Sequence, residues 1–406
     1  MFIWNLKSKV YRPISLDIGH HSIKMLQLAE SDSTLNVVAA EKILIDPAVH
    51  NDYATYRSFI ISSIKKVLQN GLFHGTECFT VIPNEKIGIT NLRLEQSETD
   101  KIDSILKREA AERFNLNPEV DSINYIEAGS VRQGEEIKNE YIIFTADSKT
   151  ISEQIEILEE AKLRPVSIDP IACALFRSHK RFSRRLEDKE LTEVFIDVGS
   201  LFTTVVFGRG YDISFVKHIG IGTDHFNKEI AARLGISAAE AEILRMRKNK
   251  IRKTAFSSNT GNNIEVFSKT DDNDKSTELA VADAIASVCD KLAKEILLCL
   301  RYYTVTFRGR RSSRAIFSGG GSYEPALLNI MKNQLEVDID VAYPLNGMDM
   351  SNVNFNNDRR GPNSEWAVAA GLALKGYEHK QNLEPKLAVS DKSVKEFIGR
   401  TSYERN

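Results

Sequence analysis

The stretch Ile14-Ser15-Leu16-Asp17-Ile18-Gly19 alternates apolar and polar side chains, the period of a strand with one buried face. After a turn, Ile23 to Leu28 and then Leu35 to Ile45, rich in Val and Ile, extend it to a three-strand meander. Tyr56, Phe59, Ile60, Ile64, Val67 and Leu68 recur at helical spacing, and Asn70-Gly71 stops that helix. The pattern changes at Cys78. Phe79 to Ile82, Ile87 to Leu92 and Tyr141 to Ala146 read as strands. Ile102, Ile105, Leu106 and Phe114 mark one helix face, and Ile151, Ile155, Leu158 and Leu163 another. A compact α+β unit inserted over 78–166 is the expectation.

The opening then recurs. Val194-Phe195-Ile196-Asp197-Val198-Gly199 has the form of 14–19, and strands follow at Thr203 to Phe207 and Tyr211 to Lys217. A helix carrying Phe226, Ile230 and Leu234 ends at Gly235, and Ser237-Ala238-Ala239-Glu240 is a capping-box start for the next. Two segments that each run strand, Asp-x-Gly, turn, strand and helix predict a duplicated α/β unit. Val281, Ile285, Val288, Leu292, Ile296 and Leu300 mark a long amphipathic helix. Ala315-Ile316-Phe317 is a short strand leading into Ser318-Gly319-Gly320-Gly321-Ser322, with a helix starting near Pro325. Val337 to Val341 alternates as a strand, residues 346–363 are Asn-rich, and Trp366 to Leu374 is a helix of small residues. The expected organisation is 12–77 for the first part of lobe I, 78–166 for the insertion, and 167–190 for a connecting helix. Lobe II follows at 191–345, a return helix within 346–377, and a polar tail at 378–406.

Charge narrows the function classes. Lys and Arg total 54 against 56 Asp and Glu, a net charge of −2, so the basic excess of a nucleic-acid wrapper is missing. With 42% hydrophobic residues the chain reads as globular, and its 406 residues exceed one ordinary core. Arg247, Lys248, Lys250, Arg252 and Lys253 form a basic run, but Asp271, Asp272 and Asp274 follow and no aromatic interrupts the run. The segment 247–280 is therefore read as a solvated excursion rather than a nucleic-acid patch. Cys78, Cys173, Cys289 and Cys299 show no CxxC pair, which argues against zinc or a disulfide framework and for a reducing compartment. No stretch reaches the ~18 uncharged apolar residues of a membrane span. Phe2, Ile3 and Trp4 are read as a frayed or docked terminus rather than a membrane contact.

Three motifs carry candidate chemistry. In Asp17-Ile18-Gly19-His20-His21-Ser22-Ile23-Lys24 a turn can offer backbone N–H groups to an anion, with Lys24 as a point charge and Asp17 as an oxygen ligand for Mg²⁺. Asp197-Val198-Gly199-Ser200-Leu201-Phe202-Thr203-Thr204 repeats those parts, with a second carboxylate and the Thr203 and Thr204 hydroxyls. Gly319-Gly320-Gly321-Ser322, between a strand and a helix, lets bare backbone approach a ligand. Each motif alone is better explained by an ordinary turn. Their order across two similar lobes is more specific.

On those residues the chain resembles the actin-like ATPases, among them actin, sugar kinases, FtsA and MreB. The first two motifs match that superfamily's phosphate loops, with Lys24 seven residues after Asp17, and the Gly-rich segment matches its adenosine motif. Ala241-Glu242-Ile243-Leu244-Arg245 is similar to the stretch that contacts adenosine in MreB, with Arg245 in place of Lys. Ser167-Ile168-Asp169-Pro170-Ile171-Ala172 falls at the first connecting helix, where Asp169 either positions water or metal or, as favoured here, caps the helix. Within the superfamily the chain is similar to the PilM family of type IV pilus assembly proteins. The resemblance rests on Leu16 to Leu28, on Gly220-Ile221-Gly222-Thr223-Asp224-His225-Phe226, on Ile236 to Glu242, and on the position of the insertion.

The resemblance implies an α/β fold of duplicated, ribonuclease H-like lobes with an FtsA/PilM-type subdomain inserted in lobe I. It implies ATP and Mg²⁺ between the lobes, with Asp17 and Asp197 at the metal and Asp169 as a third candidate carboxylate. Nucleotide contacts would come from Gly19, His20, His21, Ser22, Lys24, Gly199, Ser200, Thr203, Thr204, Glu242, Arg245, Gly319, Gly320, Gly321 and Ser322. Substituting Asp17 or Gly319 is expected to weaken ATP binding with the fold intact. The implied partner is the N-terminal cytoplasmic tail of a PilN-like inner-membrane protein. Its groove would lie between the insertion and lobe I, drawing on segments near Val81–Leu94, Lys101–Phe114 and Tyr141–Leu163. Other pilus assembly proteins and self-association are further implied contacts. The implied location is cytoplasmic, peripheral to the inner membrane, with at most slow ATP hydrolysis. An FtsA-like filament protein and a small-molecule kinase are the alternatives. His20 and His21 replace the small residues usual in the first phosphate loop.

Overall fold

The computed structural model describes residues 10–31, 34–95, 101–133, 135–182, 191–246, 272–307, 311–353, 355, 362–375 and 377. The basic run at 247–253, the N-terminal Phe2 to Trp4 and the tail 378–406 lie outside them.

Two sheets share one topology. In lobe I, β1 (Val10–Tyr11) and β2 (Ile14–Ile18) pair antiparallel with β3 (Ser22–Ser31), which pairs antiparallel with β4 (Thr34–Leu44). On its far edge β2 runs parallel to β5 (Glu77–Ile82), and β5 is parallel to a later strand, Arg164–Pro170. The inserted sheet lies between them in sequence: β6 (Gly88–Glu95), β7 (Ser122–Gln133) and β8 (Glu136–Ala146), in the order β6-β8-β7. Arg164–Pro170 is thus β9. Lobe II repeats the pattern with β10 (Thr192–Val198), β11 (Thr203–Arg209), β12 (Asp212–Ile219), β13 (Arg314–Ser318) and β14 (Asp338–Val341). Its order β12-β11-β10-β13-β14 keeps three antiparallel strands followed by two parallel ones. The duplication expected from the two Asp-x-Gly strands is therefore a duplication of whole sheets.

Parallel neighbours need a crossover. Those after β2 and β10 are covered by helices whose apolar faces the spacing predicted. Helix α1 (Tyr53–Gln69) starts at Asp52, whose carboxylate accepts from the Thr55 N–H, and buries Ile60, Ile61, Ile64 and Val67. Helix α2 (Ile102–Phe114) covers the inserted sheet through Leu106 and Ala110. Helix α3 (Ser148–Glu160), capped by Asp147, packs with α1 on the lobe I sheet through Ile157 and Leu158. Helix α4 (Ile171–Lys180) leads from lobe I to lobe II. There α5 (Thr223–Leu234), α6 (residues 238–246), α7 (Asp272–Thr306) and α8 (Pro325–Gln334) surround the second sheet, and α9 (Ala367–Ala373) returns across α4. Ser237 and Glu240 form the anticipated capping box, each side chain accepting from the other's backbone N–H.

Three expectations need correction. The insertion spans 88–146 rather than 78–166, because β5 and β9 are hydrogen-bonded into the lobe I sheet and α3 packs on it. Residues 272–280 are not excursion but the first turns of α7, which extends past its apolar stripe on good helix formers such as Leu279 and Ala280. Ser167 to Pro170 is strand, so Asp169 caps nothing; the N-cap of α4 is Pro170.

Candidate functional site

The β2–β3 and β10–β11 hairpins have the same tight closure. Gly19 N–H donates to the Ser22 carbonyl and Gly199 N–H to the Phe202 carbonyl, each at 3.0 Å. Register places Asp17 opposite Lys24 and Asp197 opposite Thr204. Lys24 Nζ lies 3.1 Å from Asp17 Oδ2, with Asp17 buried and Lys24 half-buried. Burial works against the Lys24 charge, but Asp17, Glu365 and Asp197 outweigh it and hold the ammonium charged. Asp197 accepts from the Ser318 hydroxyl at 3.0 Å. Burial, opposed by that bond and reinforced by the Asp17 charge, pushes its carboxyl up to about 6. The structure thus brings Asp17, Lys24 and Asp197 together, two hard oxygen donors and a cation between the lobes.

The Gly-rich segment closes this site against β10. Gly319 has φ +81°, and a Cβ there would lie 2.6 Å from the Val198 carbonyl. Gly321 is pressed on the Val198 side chain, whereas Gly320 faces open space. Substituting Gly319 therefore disturbs the fold, contrary to expectation; Gly320 is the position where backbone is exposed to a ligand. Ser322 Oγ donates to the Gly319 carbonyl at 2.7 Å, and Gly319 N–H donates to the Ser364 carbonyl, so the return segment before α9 buttresses the turn.

Other expected ligands are committed elsewhere. The Thr203 hydroxyl donates to the Ile221 carbonyl at 2.7 Å, which uses its proton. Thr204 Oγ1 accepts from the Asn84 amide at 3.0 Å and keeps its own proton. Arg245, only 7% exposed, donates to Asn227 at 2.8 Å and faces Glu324 at 3.7 Å, so it frames the site through fixed partners. Glu242 and Arg245 both act electrostatically on His21, so α6 lies within charge–charge range of the first hairpin tip. Asp169 is buried and bonded to Arg177 at 2.8 Å and to Lys375. Burial opposes its charge, but those two cations prevail and hold it at about 2.

Across the two tips, Asp224 Oδ1 accepts from His21 Nε2 at 2.6 Å and from Ser200 Oγ at 2.8 Å, with His20 Nε2 3.6 Å from Oδ2. Sequence reasoning gave Asp224 no role; only its place in the quoted Gly220 to Phe226 motif marked it. His50, which donates to the His20 carbonyl at 2.8 Å, and Asn84 carried no signal.

Two cavities border the insertion. One, of about 280 Å³, lies between the first hairpin tip and the turn entering the insertion, among Gly19, His20, Tyr53, Tyr56, Glu85 and Gln154. The other, of about 290 Å³, runs between β6 and α2, among Thr90, Leu92, Ala110, Arg113 and Ile143. The second draws on the three segments expected to form the partner groove but lies within the insertion, between its own sheet and α2, rather than between the insertion and lobe I.

Two duplicated sheets with paired acidic hairpins between them define an actin-like fold. The chain belongs to the PilM family: a family model described as "Type IV pilus assembly protein PilM" matches residues 15–255 and 275–377. Among solved structures it is similar to a PilM-PilN type IV pilus biogenesis complex, with 19% identity, a TM-score of 0.68, and coverage of 93% of this chain and 100% of that one. It also matches ethanolamine utilization protein EutJ from Carboxydothermus hydrogenoformans, with 12% identity, 90% of each chain covered and a TM-score of 0.49. A third match is MreB 5 of Spiroplasma citri bound to AMPPNP, with 10% identity, coverage of 92% of this chain and 98% of that one, and a TM-score of 0.46. No curated protein matches significantly. Among the described residues no helix is long and apolar enough to cross a membrane.

Proposed function

We propose that this chain is the nucleotide-binding adaptor of a type IV pilus assembly platform, binding Mg-ATP between its lobes and the N-terminal tail of a PilN-like inner-membrane protein beside its insertion. The observation that carries the nucleotide half is the pair of equivalent hairpins that bring Asp17 and Lys24 into contact, with Asp197 within electrostatic reach of both. Carboxylate oxygens suit Mg²⁺, which keeps most of its waters and takes few protein ligands. Asp17 and Asp197 would hold the ion, and Mg²⁺ would neutralise phosphate charge there. Backbone at Gly19–Ser22 and Gly199–Ser200 would meet phosphate, with Lys24 as counter-charge, while Gly320, Glu242 and Arg245 would border the adenosine.

The reading of slow turnover is supported by Asp169, whose carboxylate is bound by two cations and is a poor proton acceptor. The solved PilM-PilN complex supports the partner, and the β6–α2 cavity offers apolar Leu92 and Ile143 to an inserted peptide side chain. Partner capture would put the chain on the cytoplasmic side of the inner membrane. Titration with labelled ATP tests the site: Asp17→Asn should weaken binding by tenfold or more, as expected for loss of a charged ligand. Equal affinity removes the assignment. Pull-down with the partner's N-terminal peptide tests the second half, and failure of folded protein to bind it removes the adaptor reading.

A further inference from the structure

The two hairpin tips are joined by a single carboxylate oxygen. His21, at the tip of the first hairpin, and Ser200, at the tip of the second, both donate to Asp224 Oδ1. Each side of this junction is built to stay in place. On the lobe II side, Thr223 N–H donates to the Gly199 carbonyl and Asp224 N–H to the Ser200 carbonyl, both at 3.0 Å, so the start of α5 is clamped to the second tip. Gly222 is needed there, since a Cβ would overlap the Ser200 carbonyl. On the lobe I side, His50 donates to the His20 carbonyl and stacks on the His20 ring with centroids 4.0 Å apart, which holds the first tip.

The geometry points to an interlobe latch in which the Asp224 carboxylate, held by His21 and Ser200, occupies the place between the tips that the terminal phosphate of a nucleoside triphosphate would take. This rests on the reading of the cleft as a nucleotide site. The His21 N–H and Ser200 O–H can serve one anion at a time, and a phosphate brought beside Asp224 meets like charge. A triphosphate must therefore break the latch, exchanging Asp224 for its own oxygens at His21 and Ser200. A diphosphate, one phosphate shorter, carries less charge to that point. The latch makes the site favour diphosphate over triphosphate and couples triphosphate binding to release of one lobe from the other.

The groups facing His21 support a charged imidazole. The bond to Asp224 raises its proton affinity, burial lowers it, Glu242 raises it and Arg245 lowers it. His20 is driven the other way, down to about 4, by burial and by His50, with Asp224 opposing and His21 and Lys228 adding to the fall. Of the pair, His21 is the one held toward its charged form, and His20 the one held neutral.

Two measurements on the full chain test this. Histidine NMR titration without nucleotide should show one imidazole titrating above the ordinary range, which returns toward it in Asp224→Asn and vanishes in His21→Gln. An unchanged titration in Asp224→Asn overturns the latch. Binding of labelled ATP and ADP with Mg²⁺ should show Asp224→Asn binding ATP about tenfold more tightly, the worth of one charge-assisted hydrogen bond, with ADP moved less than about twofold. Nucleotide binding with an unchanged ATP/ADP ratio overturns the competition alone. Absence of binding of either nucleotide to either protein overturns the nucleotide site, and the competition with it.

Discussion

Asp197 ends a strand whose fold duplicate ends in Asp17, and the proximity of the two sets its acidity. Burial with a like charge nearby raises the carboxyl to about 6, so between the ordinary carboxylate range and pH 6 the folded chain binds a proton that the unfolded chain does not. Stability contributed by this residue therefore falls as pH rises through that window and is flat above it. Asp197→Asn should abolish that slope and gain about 1–3 kcal/mol at pH 7.5 while weakening Mg-nucleotide binding. Urea denaturation at a series of pH values checks it; a slope retained between pH 4 and 6 would mean that Asp197 titrates normally. At this scale the pair of acids was legible, because each sits in an Asp-x-Gly strand end. The use of Thr203 for the Ile221 carbonyl was not, since that acceptor lies on another strand's exit.

Helices α4 and α9 cross where Gly371 meets Ala174, so closely that a Cβ at 371 would overlap the Ala174 carbonyl. Arg177, 2% exposed, reaches over the crossing to the Gly371 carbonyl at 2.8 Å and to Asp169. Lys375, just past α9, binds the same carboxylate. Asp169 is thereby the tie between the two connecting helices. Asp169→Asn leaves buried Arg177 and the partly exposed Lys375 facing a neutral group in place of their shared carboxylate and should cost about 3–5 kcal/mol, the range for breaking a buried pair. Thermal or chemical unfolding measures this; a loss under about 1 kcal/mol would show the crossing to be held by packing alone. The depressed carboxyl keeps its stabilising charge above its unfolded value and loses it as pH falls toward 2, below the window in which Asp197 acts. The small-residue pattern of Trp366 to Leu374 predicted a close-packed helix, and the reason for the small residues is this crossing. Asp169 was misread as a cap because Asp-Pro before an apolar run is a helix-start signature, and here the preceding residues are drawn into a sheet by β5.

The inserted sheet is docked on the rest of the molecule. Ile126, Ile142 and Phe144 share a buried cluster with Phe176 of α4 and with Phe195, Val206 and Val216 of lobe II. Glu140, fully buried, accepts from Asn91 and from Arg93, and Arg93 also reaches the Tyr302 hydroxyl on α7. One buried cluster therefore joins the insertion, the connecting helix α4 and lobe II, and the chain should unfold in a single transition by circular dichroism and by tryptophan fluorescence. Ile142→Ala should shift that transition by about 2–5 kcal/mol without splitting it. Two separated transitions would mean that the insertion folds by itself.

Local pattern by itself determined most strands, though not β1, β7 or β9, along with most helices, the duplication and the acidic turns, because those depend on side-chain period and turn chemistry within a few residues. It also marked the Gly-rich segment, where only glycine suits the φ of Gly319. It did not determine that the insertion ends at 146, since the membership of β5 and β9 in the lobe I sheet is a matter of hydrogen bonds between distant strands. Nor did it determine what Asp169, Arg245 and Asp224 bind. Their partners, at 375, 324 and 21, come within hydrogen-bonding or ion-pairing reach only after the chain has closed both lobes. Burial then makes those pairings strong, because a charge removed from water must find its counter-charge in whatever the fold has brought beside it.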